Sequence, residues 1–353
     1  MLSYIGGKAR MADWISSYVP ECETYVEVFG GAYWVYVNSD IHERCQKAVY
    51  NDFNPYMVNL FRCASDPKTF SKFIDNKNIP LQEKGKPELS KECSDFFYQC
   101  KKELFGRNAL KKFLMDKQTR LQMATYIHAL EGGDSTIDKI DKDILAEINY
   151  CINQLRNRTA NKQEESRNKI GEKIALGKKD QSIAMKYAYI LACSFSGIDP
   201  VDSEFQDYKG KYGSKFKAFY NRLTGDKFIP KLKKIDTCEN LSFEKVIEKY
   251  DSPTTYFYVD PPYWNTENYY SLHGFGRDQH YELQESLHSI KGMFSLSYYD
   301  FSELSVMYPK DEFTWETKEF VKPAGAKEGL EQSTGEEVLI MNYKKELDKT
   351  EEI

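Results

Sequence analysis

The sequence predicts an α/β fold: an open sheet with a ligand crevice at its strand ends, interrupted by a mostly helical insertion. Three observations carry this expectation. Residues 24–32 read as a strand (Tyr25, Val26, Val28, Phe29), a glycine pair and an apolar helical stretch, the opening unit of a nucleotide-binding α/β fold. A second strand over 48–51 ends at Asp52, about 20 residues beyond the glycine pair, where such folds place an acid that takes ribose hydroxyls. A third apolar run, Tyr256-Phe-Tyr-Val259, is stopped at Asp260 by Pro261 and Pro262, which cannot continue a ladder.

Bulk properties narrow the function classes. The chain has 353 residues, enough for one large domain or two ordinary ones. A net charge of −5 argues against a uniformly basic nucleic-acid coat protein while leaving room for a local basic surface. Aromatics make up 14% of the chain, and its 26 tyrosines are expected to place amphipathic rings at surfaces and clefts. Eight cysteines are scattered without a Cys-x-x-Cys pair, and the five histidines do not cluster. Neither a metal site nor a disulfide framework is therefore expected, and a reducing, cytoplasmic setting is. No charged-then-apolar leader opens the sequence, and no apolar run reaches the length of a membrane span.

The elements follow in order. Ser3-Tyr-Ile-Gly-Gly-Lys8 sets two glycines and a lysine before a helical pattern of Met11, Trp14, Ile15 and Tyr18. Such a pair lets backbone amides approach an anionic group, although an ordinary turn reads the same way. The spacing is not that of a phosphate loop, and residues 26–31 lack the Gly-x-Gly-x-x-Gly of dinucleotide binding. After the second strand, Asn54-Pro55 suits the cap and first position of a helix, which leaves Asp52 free for a ligand. Between residues 66 and 180 the character changes, with 23 Lys and Arg against 18 Asp and Glu. This segment reads as a mostly helical, locally basic insertion, with apolar runs at 96–98 and 121–130 and loop-like stretches at 75–89 and 131–143. The remaining residues, 1–65 and 181–353, then form one discontinuous domain.

Residues 182–193 predict an apolar helix that runs into Ser194 and a polar loop to residue 215. That loop interleaves Tyr208, Lys209, Lys211, Tyr212 and Lys215, charge for phosphates and rings for bases, so residues 194–215 are a candidate nucleic-acid contact loop beside the insertion. A solvated surface loop has the same composition. Residues 241–250 form an amphipathic helix that leads into the strand ending at Asp260. Tyr263 and Trp264 follow, and a polar, Tyr-rich loop over 265–277 is placed to cover the site. A helix over 279–290 and a strand over 293–298 come next, then two pairing strands over 313–320 and 337–343. A carboxylate, a rigid proline turn and aromatic faces at a strand end suit an amino-bearing ring, but a strand-ending turn gives the same residues.

Taken together, Tyr4-Ile-Gly-Gly-Lys8, Val26-Glu-Val-Phe-Gly-Gly31, Asn51-Asp-Phe-Asn-Pro55, Asp260-Pro-Pro-Tyr263, Phe294-Ser-Leu-Ser-Tyr298 and Glu337-Val-Leu-Ile-Met-Asn-Tyr343 resemble the Dam-like class of DNA adenine-N6 methyltransferases. The resemblance covers most of the chain outside the insertion. It implies a Rossmann-like S-adenosylmethionine-dependent methyltransferase sheet whose inserted domain recognises the target. It also implies S-adenosyl-L-methionine as cofactor, duplex DNA with a short adenine-bearing site as substrate, and a flipped-out adenine. Asp260, Pro261, Pro262 and Tyr263 would be catalytic; Phe29, Gly30 and Gly31 would line the cofactor and Asp52 would hold its ribose. Tyr4 and Lys8 would sit near the methionine end or the DNA. Glu27 is a further polar contact on this reading, or else points into the sheet. A cognate restriction enzyme is among the partners the class allows.

The resemblance departs after Phe195-Ser-Gly197, where the Dam enzymes carry an Arg-containing hairpin that helps read GATC. Here Ile198-Asp-Pro-Val-Asp-Ser203 has no arginine, which leaves the recognition sequence open. Single-stranded DNA, RNA or a protein amide as substrate are the enzymatic alternatives, although protein-glutamine methylation goes with Asn-Pro-Pro-Tyr. An inactive DNA-binding homologue is the non-enzymatic one.

Overall fold

The computed structural model describes residues 8–66, 79–105, 168–173, 176–194, 200–201, 203–223, 225–264, 275–321 and 334–344. At its centre is a seven-stranded sheet in the order β3-β2-β1-β4-β5-β7-β6. The strands are β1 (Cys22–Glu27), β2 (Cys45–Asn51), β3 (Ile235–Glu239), β4 (Thr255–Val259), β5 (Met293–Tyr298), β6 (Thr314–Val321) and β7 (Thr334–Met341). The first five are parallel; β7 enters antiparallel beside β5, and β6 pairs with β7 as a hairpin.

The side-chain period of two divides the core between the faces. Tyr25, Tyr50, Tyr256, Tyr258, Leu339 and Met341 belong to one cluster, while Val26, Val49, Phe257, Val259, Leu296 and Ile340 belong to the other. Every residue of β4 is buried, as expected of a strand covered on both sides. The first face is covered by α1 (Pro55–Ala64), α2 (Leu89–Phe105), α3 (Gln181–Cys193) and α4 (Lys215–Leu223), with α3 packed on the other three. The second face carries α5 (Phe243–Tyr250) and α6 (Arg277–Ser289), which touch each other.

Two expectations are corrected here. Many tyrosines lie in the core instead of at clefts: Tyr25, Tyr50, Tyr56, Tyr189 and Tyr256 are all essentially buried. These five hydroxyls donate inward, Tyr25 to Glu27, Tyr50 to the Gly31 carbonyl, Tyr56 to Leu104, Tyr189 to Pro80 and Tyr256 to Ser295, which offsets the cost of burying them. The segment 199–215 is also not all loop, since α4 begins at Lys215. The strand β3 and the single turns at Ile229–Leu232 and Leu304–Met307 were not legible beforehand: in β3 only Ile235 and Cys238 are buried, too few for a period.

Of the basic insertion, residues 66, 79–105, 168–173 and 176–180 are described. Within them α2 buries Cys93, Phe97, Cys100, Leu104 and Phe105, and Tyr56 of α1 bonds its last turn. The apolar run at 121–130 and the loop at 131–143 lie outside the described residues. Among the described residues no helix is long and apolar enough to cross a membrane, and no cluster of His, Cys, Asp and Glu could hold a metal ion.

Candidate active site

The strand order reverses between β1 and β4. From β1 the chain winds outward through β2 and β3; from β4 it winds the other way through β5. Ligands of open α/β sheets bind in the crevice that such a reversal opens at the carboxyl ends. Glu27 stands opposite Tyr258, and the Val28 amide donates to the Tyr258 carbonyl at 3.0 Å. The glycine turn and the Asp260 turn therefore leave the sheet side by side, although 229 positions separate Gly31 from Asp260 in sequence.

The glycine turn is fixed by its neighbours. A Cβ on Gly30 would lie 2.3 Å from the Tyr50 ring and 2.7 Å from the Asn51 carbonyl, so no other residue fits. Gly31 and Tyr33 both take left-handed backbone, φ 46° and 57°. Asp52 ties the turn to the end of β2: one carboxylate oxygen accepts from the Gly31 amide and the other from the Asn54 amide, each at 2.7 Å. Burial pushes the Asp52 carboxyl up to about 6, against the pull of these two amides. Phe29 lies between Phe243 and Phe275, with ring centroids 5.9 and 5.7 Å away, and gives the crevice an aromatic wall.

Glu27 is buried beneath this turn. Its Oε1 accepts from the Tyr25 hydroxyl at 2.8 Å and the Tyr36 amide at 3.1 Å, which anchors the short helix Trp34–Asn38 to β1. Of the two orientations weighed from the sequence, the side chain takes the one directed into the sheet. Burial pushes its carboxyl up to about 8, more than the two hydrogen bonds lower it.

Across the crevice, Asp260 heads a compact charged cluster. The Lys8 ammonium lies 3.0 Å from Asp260 Oδ1 and 3.3 Å from Glu337 Oε1. It also donates to the Tyr263 hydroxyl, which in turn donates to Glu337 Oε1, and it sits 4.5 Å from the Tyr263 ring centre. Lys8 and Glu337 are buried, and Asp260 keeps 17% of its side-chain surface exposed. Burial works against the ammonium, but Asp260 and Glu337 outweigh it and hold Lys8 above the ordinary range. Burial raises both Asp260 and Glu337, with Lys8 opposing the rise in each.

Aromatic rings frame the cluster. Tyr263 meets Tyr299 edge-on at 4.5 Å and Tyr298 at 5.6 Å. Trp264 stacks on Phe301 at 4.5 Å with planes 8° apart, and the Arg277 guanidinium lies 3.5 Å over the Trp264 ring. Pro261 and Pro262 hold the turn from which Tyr263 and Trp264 project. Glu337 and Tyr299 were missed as site residues. A Glu-Glu pair near the start of a strand looks like a solvated end, but β7 lies between β5 and β6 and is buried from Glu337 to Met341, with Glu336 still exposed.

The expected DNA-contact residues form a separate group. Ser194 bonds back to the Leu191 carbonyl at 3.3 Å and bridges to Phe205. Tyr208 meets Tyr212 edge-on at 5.1 Å, Lys215 lies 4.5 Å over Tyr208 and Lys211 lies 5.5 Å over Tyr212. Lys209 adopts φ 47°, held by Asp207, which also takes a hydrogen bond from Ser90. Thus the loop is tied to the described part of the insertion. Tyr4, residues 195–199 and most of the cover loop 265–277 lie outside the described residues.

The chain matches no curated protein sequence. Residues 4–322 match the family model described as D12 class N6 adenine-specific DNA methyltransferase.

Proposed function

The chain belongs to the D12 class of N6 adenine-specific DNA methyltransferases, and from that premise we propose how its crevice carries out the transfer. The donor is S-adenosyl-L-methionine, which when bound supplies an electrophilic methyl group on a sulfonium. Its holding residues are Phe29, Gly30, Gly31 and Asp52. Gly30 lets the turn pack tightly against Tyr50 and Asn51 at the end of β2, Phe29 gives an apolar face for an adenine ring, and Asp52 stands where ribose hydroxyls are taken. Tyr4 is a further candidate there.

On the acceptor side, the target adenine is flipped from a duplex carrying a short recognition site. Its amino group is a poor nucleophile because the nitrogen lone pair is delocalised into the ring. Hydrogen bonds from that group to the Asp260 carboxylate and the Pro261 carbonyl favour a tetrahedral nitrogen and free the lone pair for attack. Tyr263 stacks on the extruded ring and offsets the stacking lost on leaving the helix. Holding both partners in line supplies much of the rate without a covalent enzyme intermediate. Tyr208, Lys209, Lys211, Tyr212 and Lys215 contact the DNA backbone and bases beside the insertion, with Ser194 at the base of that loop.

The single observation that carries this reading is the reversal between β1 and β4, which sets the glycine turn beside Asp260. The test is Asp260→Ala. Methyl transfer to adenine-containing duplexes is expected to fall below detection, with S-adenosylmethionine binding retained by calorimetry. Near-normal transfer by the variant would remove Asp260 from the mechanism. Sequencing that detects methyladenine in DNA from cells making the protein identifies the target site.

A further inference from the structure

The acceptor cluster contains one carboxylate more than it has ammonium groups. Asp260 and Glu337 share the single Lys8 ammonium, and no other cation is bonded to either among the described residues. Glu27, the next carboxylate on this face, keeps its proton at neutral pH because burial holds its carboxyl at about 8. Tyr258, Tyr263 and Tyr299, the other titratable groups facing the cluster, all have pKa values raised first by burial and are neutral. Asp260 and Glu337 together can hold one negative charge more than Lys8 balances; burial raises both carboxyls and Lys8 opposes that rise. A buried net charge is costly unless something balances it.

The reaction proposed above supplies a balance before and after transfer. Beforehand, a sulfonium brings one positive charge. In the transfer the N6 lone pair forms the new N–C bond, the S–C bond breaks, and its electron pair stays on sulfur as a neutral thioether. The methylated nitrogen then carries the positive charge and loses it by shedding one proton. Asp260, already bonded by Lys8, is the first acceptor. The Lys8 ammonium bonds both Asp260 and the Tyr263 hydroxyl, and that hydroxyl donates to Glu337 Oε1, so Lys8 and Tyr263 link the two acids.

We propose that Glu337 supplies the net negative charge of the acceptor pocket and is the final acceptor of the N6 proton, reached through Asp260, Lys8 and the Tyr263 hydroxyl. Asp260 passes the proton to Lys8 as Lys8 gives one to the Tyr263 hydroxyl and Tyr263 gives its own to Glu337. This returns Asp260 to its ionised form with Lys8 still charged. Glu337 thus acts through Tyr263 and Lys8, as a positioning and proton-holding residue, and the proposal rests on the transfer chemistry assigned to Asp260.

The test compares S-adenosylmethionine with its neutral thioether product, S-adenosylhomocysteine, by calorimetry. Glu337→Gln keeps an acceptor for the Tyr263 hydroxyl and removes only the charge. Its preference for the sulfonium over the thioether is expected to fall on the order of tenfold, with thioether affinity unchanged. Lys8→Met makes the pocket more negative and is expected to raise that preference. In single-turnover assays Glu337→Gln should slow transfer by roughly 10²-fold, the usual effect of losing a proton acceptor. An unchanged preference, or equal weakening of both ligands in both variants, would overturn the proposal. Thermal melting and an Asp260→Ala control run in parallel. Transfer by Asp260→Ala would sink the underlying chemistry; an inactive Asp260→Ala beside a wild-type-like Glu337→Gln would sink only the role of Glu337.

Discussion

Individual residues of this crevice take their properties from burial more than from identity. The sequence offers Lys8 as one of 49 lysines and arginines, yet its ammonium is buried between two carboxylates. Glu27 shows the same effect on stability. Its folded pKa, about 8, lies above the ordinary 4.5, so the folded state binds a proton that the unfolded state has already lost in between. The stabilising contribution of the protonated form is complete below about 4.5 and is lost as pH rises through 8. Glu27→Gln keeps an acceptor for Tyr25 and Tyr36 but cannot ionise. Melting temperatures of the wild type are expected to fall between pH 5 and 8 by an amount worth a few kcal/mol, on the order the linkage relation gives, whereas the variant's profile stays flatter. Parallel profiles for the two proteins would assign the charge-dependent loss elsewhere.

At the scale of elements, the turn after β2 serves both the fold and the site. The Asn54 side chain accepts from the Tyr56 amide at 3.0 Å and so caps α1, with Pro55 at the first helical position. Its amide group donates to the Tyr187 hydroxyl of α3 at 2.9 Å, and its backbone donates to Asp52. Asn54→Ala removes the cap and the buried hydrogen bond that the Tyr187 hydroxyl accepts. A destabilisation of about 1–3 kcal/mol is expected in denaturant titration, combining cap loss with a lost buried hydrogen bond. Because Asp52 is held through backbone, cofactor affinity is expected to change little. A large affinity loss with unchanged stability would show that the cap positions Asp52 through its side chain. The β6–β7 hairpin has a comparable double role, closing the sheet and carrying Glu337 to the crevice.

Over the whole molecule, charge and topology divide the work. Residues 66–180 carry a surplus of five positive charges, and the rest of the chain is about −10. The Lys209, Lys211 and Lys215 group adjoins the described part of that segment, tied to it through Ser90, Asp207 and the Gly85–Gly210 backbone bond. If these lysines neutralise phosphates, DNA affinity falls linearly on a double-logarithmic salt plot. Replacing all three by alanine should reduce the slope by about 2–3, since each phosphate contact contributes roughly 0.9. A slope identical to wild type would place the DNA on another surface.

Local chemistry made much of this protein legible in its sequence. Gly30-Gly31 announces a turn because only glycine fits beside Tyr50, and Pro261-Pro262 announces a strand end because proline cannot donate. Asn54-Pro55 announces a helix start, and the order of these motifs gives the family. Properties set by pairing distant segments were not legible. The buried tyrosines, the weakly patterned β3, and the meeting of Lys8, Asp260, Tyr263 and Glu337 depend on which strands are neighbours. Lys8 and Glu337 are 329 positions apart, and their ion pair exists only because β7 inserts beside β5. The sequence by itself determined the turn geometry and the acceptor motif, since these are properties of backbone and side chain at one place. Only the tertiary structure decided which charges those motifs face, because desolvation and ion pairing arise from the neighbours that the sheet order brings together.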